Sequence, residues 1–185
     1  DRILWTYDPL ETANARLNIA RLGGIVRRYK RDFYGWHETP LHNHLPTDRF
    51  LVEWELTSER VLARLLPEWR APSAAELRNQ FGPPVNSVLW NRQGLPQCGS
   101  PDLSRSESTL LVEVPASWQG LRQADMSLAM DWRVKTRHLF EHYLRLGYCI
   151  TGYASDRLKS EGISSQMSST LAEQQGNLYL MEKRR

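Results

Sequence analysis

The chain has 185 residues, enough for one domain with a sizeable core, and its hydrophobic content of 41% is that of a globular protein. No window approaches the roughly 18 apolar residues of a membrane span, and no charged-then-apolar leader indicates secretion. A formal charge of +3 is only mildly basic, so a polyanionic partner is not required. Cys98 and Cys149 lie in different settings. We interpret them as reduced thiols and expect a cytoplasmic protein.

The first elements form a strand–helix–strand unit. Residues 3–7 predict a strand that Pro9 ends, residues 11–22 a helix that stops at two glycines, and residues 25–34 a second strand. The short connections predict that the two strands are parallel neighbours joined by a crossover helix. We expect this helix to pack on the sheet through Leu10, Ala13, Leu17 and Ala20. Because the chain opens inside a strand, we expect the intact protein to contain a segment before Asp1.

The later elements are separated by longer irregular stretches, beginning with a proline-containing loop after residue 34. We predict strands at residues 50–56, 87–90, 110–114, 148–153 and 177–181, and helices at 59–66, 74–80 and 126–146. Ser58 is the expected cap of the first of these helices, and Gly147 ends the last. The last helix repeats apolar residues at helical spacing, namely Trp132, Leu139, Phe140, Tyr143 and Leu146. We find no internal repeat of useful length.

The stretch WTYDPLETANARLNIARLGGIVRRYKRDFYG, followed by LPTDRFLVEWEL, resembles the second half of a GNAT acyltransferase domain. It is most similar to the predicted acyltransferases associated with o-succinylbenzoate synthase and N-acylamino-acid racemases. The resemblance covers residues 1–56 and continues loosely through ESTLLVEVPASWQGL and GYCITGY. It implies an α/β fold with a GNAT-like mixed sheet and a crossover helix, lacking the N-terminal part of that fold. We assign residues 1–56 to the C-terminal half of a GNAT-like domain, 57–107 to a loop-rich connection, and 108–185 to an α/β C-terminal extension on the same core.

The resemblance implies an acyl-CoA-dependent N-acyltransferase. In that reaction an amine, such as that of an amino acid, attacks the thioester of acetyl-CoA or another acyl-CoA. The family's pyrophosphate-binding loop would lie upstream of Asp1, because RLGGIV stands at the end of a helix, where free N–H groups for an anion are absent. We therefore expect this chain alone to bind CoA weakly, through the pantetheine end. The alternative is a non-catalytic or degenerate GNAT-like module that acts in assembly or ligand sensing.

The resemblance also points to cofactor-binding and catalytic candidates. Asn14 and Asn18 are four residues apart on the predicted helix, so they could both offer amides to the pantetheine; capping and solvated surface roles are the alternatives. Ile19 occupies the position of the family's usual tyrosine acid. The candidates for protonating the leaving thiolate are therefore Tyr7 and Tyr34, or water, with packed aromatic rings as the alternative. We favour Tyr34, because the end of its strand lies near several cations.

Two charged residues are the candidates for binding the substrate. Asp8 could orient an ammonium group, although an Asp before a proline is also common in turns. Arg49 could bind a carboxylate of the acyl group or of an amino acid through two hydrogen bonds, which a lysine would do less well. A surface salt bridge between Asp48 and Arg49 is the alternative.

Other motifs do not change this interpretation. The H-x-x-E-H pattern at residues 138–142 lacks an obvious third metal ligand, and the histidines of the loop after residue 34 (His37, His42 and His44) are typical of a solvated loop. The run RRYKRDFY mixes basic and aromatic residues, but neither face of such a strand is a clean stacking platform for nucleic acid. We expect a small-molecule amine or amino-acid acceptor and predict no metal, no nucleic acid and no membrane. A homo-oligomer is compatible with the sequence.

Overall fold

The computed structural model describes residues 1–35, 45–155 and 177–184. In chain order the elements are β1 (Arg2–Tyr7), α1 (Thr12–Ala15) continuing as a π-helix (Arg16–Arg21), β2 (Ile25–Lys30), β3 (Arg49–Glu55), α2 (Glu59–Arg64), α3 (Ala74–Phe81), β4 (Val88–Trp90), β5 (Pro96–Cys98), β6 (Thr109–Val114), α4 (Trp118–Ala124), α5 (Met126–Arg145), β7 (Tyr148–Ala154) and β8 (Asn177–Lys183). Among the helices of these residues, none combines the length and the apolar character that a bilayer span needs.

Six strands form one sheet in the order β1-β3-β2-β7-β8-β6, and β4 pairs with β5 in a separate hairpin. The predicted α/β class is confirmed. However, every neighbouring pair of strands in the described sheet is antiparallel, so the predicted mixed sheet is wrong.

β1 and β2 lie in one sheet and run parallel, as expected, but they are not neighbours. β3 lies between them and pairs antiparallel with both strands. The physical reason is the width of the crossover helix: a helix about 10 Å across covers roughly two strand spacings, which leaves room for a third strand beneath it. β3 fills this gap, and its side chains Phe50 and Val52 are fully buried.

The crossover helix buries a different face from the one predicted. Of the four residues expected to pack on the sheet, Leu10 and Ala20 are buried, whereas Ala13 is exposed and Leu17 is 51% exposed. The π-helical turn explains the change, because it inserts an extra residue into the turn and rotates the residues around it. Ile19 is fully buried in the core instead.

The two halves of the sheet repeat one topology. β1–α1–β2–β3 and β6–α4–α5–β7–β8 each contain two parallel strands joined by a helical crossover, with a third strand inserted between them. The strand order is symmetric about the β2–β7 junction, where Val26 pairs with Ile150. β2 and β7 also carry register shifts at matching places, just after these two residues. The fold therefore contains an internal structural repeat, related by an approximate twofold axis near this junction, that we do not detect in the sequence.

Several local features also occur at equivalent positions in the two halves. Gly23 and Gly147 end the two crossover helices with positive φ angles of 75° and 87°, a conformation that favours glycine. At the two register shifts, side chains donate to glutamates of the inserted strands: Arg27 to Glu53 (2.6 Å) and Thr151 to Glu182 (2.5 Å). Such agreement in detail supports a true structural repeat over a coincidence of strand order.

The core lies on the face of the sheet that both crossovers cover. Phe50 of β3 makes edge contacts with four rings, those of Tyr7, Tyr29, Phe140 and Tyr179. Phe140 belongs to α5 of the second half. Trp54, which lies on the same face of β3 as Phe50, donates its indole N–H to Leu22 O at the end of the first crossover. This face of β3 therefore contacts both halves, and α5 of the second half lies over the C-terminal end of β1 in the first half.

Candidate functional site

Two arginines one turn apart on α5 bind aspartates of the first half through two hydrogen bonds each. Arg133 donates to both carboxylate oxygens of Asp8, which follows β1, at 2.8 and 2.5 Å. Arg137 donates to both oxygens of Asp48, which precedes β3, at 2.8 Å each. Because a guanidinium and a carboxylate match geometrically, such bidentate pairs fix orientation as well as distance.

Asp48 is the more deeply anchored of the two aspartates. It is fully buried and also accepts from the Tyr29 hydroxyl (2.7 Å) and the Asp32 N–H (2.9 Å). Burial by itself would raise the pKa of Asp48, but these hydrogen bonds and that of Arg137 outweigh it and lower the pKa. The alternative was a surface salt bridge between Asp48 and Arg49; Asp48 is instead fully buried and pairs with Arg137.

A small cavity lies beside the Asp8–Arg133 pair. Its volume of about 20 Å³ suits a group the size of a water molecule or slightly larger. Arg133 is only 1% exposed, and its guanidinium lies 5.0 Å from the centre of the Trp118 ring. The Nε atoms of Arg49 and Arg133 are buried and have no hydrogen-bond partner within the described ranges. The cavity lining is Asp8, Leu45, Pro46, Thr47, Arg49, Trp118, Arg122 and Arg133.

The structure brings three of the predicted site residues together. Asp8 and Arg49 both line the cavity. The guanidinium of Arg49 lies 5.0 Å from the centre of the Tyr34 ring, a cation–π contact that places Tyr34 next to the cavity. Tyr34 is half-exposed, and its backbone N–H donates to the Thr47 hydroxyl at 3.1 Å.

The other three predicted residues lie apart from the cavity lining. Tyr7 is buried and its hydroxyl lies 3.2 Å from that of Tyr179; burial raises the pKa of Tyr7 well above its usual range. Asn18 is buried and accepts the indole N–H of Trp5 at 3.2 Å, whereas Asn14 is exposed. The two asparagines therefore do not present one accessible pair of amides, and their roles stay predictions.

Arg122, Arg133 and Trp118 line the cavity but were not among the predicted site residues. All three come from the second half of the chain, for which the sequence analysis predicted no catalytic, cofactor-binding or substrate-binding residue. A signal was present: Arg133, Arg137 and Phe140 share one helix face, so the basic residues continue the apolar stripe instead of standing opposite it. A buried arginine needs an acidic partner, which Asp8 at the end of a strand could have suggested.

The structure shows where two of the three residues of the H-x-x-E-H pattern lie. His138 is exposed, and Glu141 accepts two hydrogen bonds from Arg31. Within residues 1–35, 45–155 and 177–184, no group of three potential metal-ligating side chains occurs. The predicted loop histidines (His37, His42 and His44) lie outside the described residues.

A second, larger cavity lies on the other side of α4. It measures about 240 Å³ and lies between the β4–β5 hairpin and the start of α4. Its walls are mainly apolar, including Trp90, Leu95 and Leu121. No predicted site residue contributes to it.

No family model matches this chain, and no curated protein or solved structure matches it either. The site geometry and the resemblance of residues 1–56 are therefore the two grounds for a functional proposal.

Proposed function

We propose that the intact protein is a GNAT-type N-acyltransferase that transfers an acyl group from acetyl-CoA or another acyl-CoA to an amine, such as an amino acid. The observation that carries the proposal is the position of β1. It is an end strand of the six-stranded sheet: β3 pairs with one edge, and no other described strand pairs with the opposite edge. Ile3 and Leu4 on this strand are 47% and 45% exposed.

The register of β1 shows which backbone groups face the open edge. The Leu56 N–H donates to Asp1 O, and paired residues alternate along an antiparallel ladder between bonding the partner strand and facing away from it. By this alternation, Leu4 and Thr6 direct their N–H and C=O groups away from β3. An extended ligand that contains amides, as pantetheine does, could pair with these groups as an added strand does.

The acyl transfer would take place near the C-terminal end of β1. The acceptor ammonium first releases a proton to solvent. The neutral amine nitrogen then attacks the thioester carbonyl carbon, the C–S bond breaks, and the leaving thiolate takes a proton. We assign this proton to the Tyr34 hydroxyl, which regains one, through solvent, from the nitrogen that forms the amide. Tyr34 is half-exposed beside the Asp8–Arg49 cavity, whereas the other candidate, Tyr7, is buried with its hydroxyl against Tyr179.

A proline substitution in β1 tests whether acyl-CoA binds along the open edge of this strand. Leu4→Pro removes one outward N–H but no hydrogen bond to β3, and Leu4→Ala is the matched control for the lost side chain. We expect Leu4→Pro to bind acetyl-CoA about 5- to 10-fold more weakly than Leu4→Ala, as for one lost hydrogen bond, with equal urea midpoints. Calorimetry measures both affinities. If folded Leu4→Pro and Leu4→Ala bind acetyl-CoA equally well, the open edge of β1 does not bind the cofactor.

Single-turnover kinetics test the chemical step. Tyr34→Phe should reduce turnover by about one to three orders of magnitude and leave acyl-CoA affinity nearly unchanged, because the hydroxyl is needed for proton transfer and not for binding. If the folded variant turns over at the wild-type rate, Tyr34 has only a packing role.

The second candidate function is that of a non-catalytic ligand-sensing module. One observation favours it: among the described lining residues, the one carboxylate is that of Asp8, and Arg133 binds both of its oxygens, so none of these residues is a ready base. Saturable binding of a small anion, with no acyl transfer for any acyl-CoA, would support this alternative.

A further inference from the structure

We propose that the cavity between the end of β1, residues 45–49 and α4 binds a carboxylate group of the substrate, with Arg49 and Arg133 as the hydrogen-bond donors. The inference deepens the proposed function by naming the substrate class: the acceptor amine, or the acyl group, carries a carboxylate. The binding of the carboxylate does not depend on the proposed function; only the acyl transfer that follows this binding does.

The first argument is the balance of charge. Arg49, Arg122 and Arg133 line the cavity, and Asp8 is the one acid among its described lining residues. Glu11 lies within electrostatic range: burial and Asp8 raise its pKa, and these same three arginines lower it. Arginines therefore outnumber acids among the described lining residues, and the Asp48 carboxylate is paired with Arg137.

The second argument is the pattern of unused donors. Each terminal nitrogen of Arg133 donates one hydrogen bond to Asp8, and Nε is the nitrogen of that guanidinium that has no partner within the described residues. The Nε atoms of Arg133 and Arg49 are both buried and lack an acceptor within the described residues. Because buried donors without partners are rare and costly, two of them beside one cavity indicate an acceptor that binds there.

The chemistry of these donors selects a carboxylate. A carboxylate supplies two acceptor oxygens and a negative charge, which matches two Nε donors on positively charged guanidinium groups. A phosphate is bulkier than a carboxylate and fits the cavity of about 20 Å³ less well. Asp8 is then a positioning residue, because it holds the guanidinium of Arg133 and leaves Nε for the ligand.

Calorimetry without CoA tests the inference on the whole chain. The probes are L-amino acids and N-acetyl-L-amino acids, each compared with its own primary amide, and inorganic phosphate. We expect at least one acid to bind about 10- to 100-fold more tightly than its amide, as for a lost hydrogen bond to a charged group. Arg49→Gln should lower that affinity by a similar factor, and Arg49→Lys should restore little of it, because lysine lacks the planar guanidinium.

Arg31→Gln is the control variant, because Arg31 is an exposed arginine whose partner, Glu141, is not in the cavity lining. It should leave the affinity for the acid unchanged, and urea unfolding should show that Arg49→Gln is folded. Acids that bind no better than their amides, phosphate that binds more tightly than every acid, or an unchanged affinity in Arg49→Gln would each overturn the inference. Because no CoA is present, these outcomes are independent of the proposed acyl transfer: carboxylate binding without turnover would overturn only the latter.

Discussion

Removing the Asp8 carboxylate should lower the free energy of unfolding by more than the loss of a surface ion pair would. Arg133 carries a side chain that is 2% exposed, and Asp8 one that is 14% exposed, so Asp8→Ala leaves a buried guanidinium without its counter-charge. Breaking a buried pair in this way costs about 3–5 kcal/mol. Asp8 Oδ1 also accepts the Leu10 N–H at 2.9 Å, a local bond worth about 1 kcal/mol. We therefore expect the free energy of unfolding to fall by roughly 4–6 kcal/mol in total.

A double-mutant cycle separates the charge from the packing. In Asp8→Ala with Arg133→Met, the buried charge is gone and methionine fills much of the arginine volume, so the loss should be smaller than for Asp8→Ala alone. The assay is urea unfolding at neutral pH, followed by circular dichroism, for the wild type, both single variants and the double variant. Arg31→Gln, which breaks the exposed pair with Glu141, is the control and should leave the urea midpoint nearly unchanged. Additive effects, or a loss below about 1 kcal/mol for Asp8→Ala, would refute the reasoning.

Three further predictions concern other parts of the core. Because the folded-state pKa of Asp48 is lowered, its contribution to stability is present above the unfolded pKa of about 4 and is lost as the pH falls further. Asp48→Asn should therefore narrow the difference between urea midpoints at pH 6 and pH 3. Gly24→Ala places a Cβ 2.6 Å from Val52 Cγ1 and 2.9 Å from Asn18 O, and should lower the free energy of unfolding by about 1–3 kcal/mol in the same assay. Burial raises the pKa of Cys98 to about 11, so at pH 8 iodoacetamide should label it far more slowly in the native protein than in urea.

Local signals in the sequence located most elements but not their arrangement. The Ser58 side chain caps α2 as predicted, accepting the Val61 N–H, and α5 ends at Arg145, one residue before the predicted end. Such features depend on neighbouring residues, which is why a sequence reveals them. The missed elements have weak local signals: α4 contains Gly120, and β5 begins with Pro96. The insertion of β3 between β1 and β2 depends on long-range pairing, which spacing alone does not report.

The candidate site likewise combines residues that local sequence signals identify with residues that only the long-range fold brings together. Asp8 and Arg49 were found because they lie in the block that resembles a known family. Arg133 lies 125 residues from Asp8, and no pattern within α5 identifies the aspartate that it binds. The π-helical turn could not be anticipated either, so the expected pair of Asn14 and Asn18 became one exposed amide and one buried amide.

The internal repeat gives a further reason to look for the function at β1. The repeat makes β6 the counterpart of β1, since both are end strands of the sheet. The outer edge of β6 is covered: Val85 N–H donates to Leu111 O at 2.8 Å, and Val88 N–H donates to the Glu113 carboxylate at 2.9 Å. No described segment covers β1 in this way. An exposed strand edge promotes aggregation, so proteins usually protect it unless something binds there. Among the described residues, the outer edge of β6 is covered and that of β1 is not, and β1 ends next to the cavity lined by Arg49 and Arg133. The proposed binding of a ligand along β1 requires such an open edge.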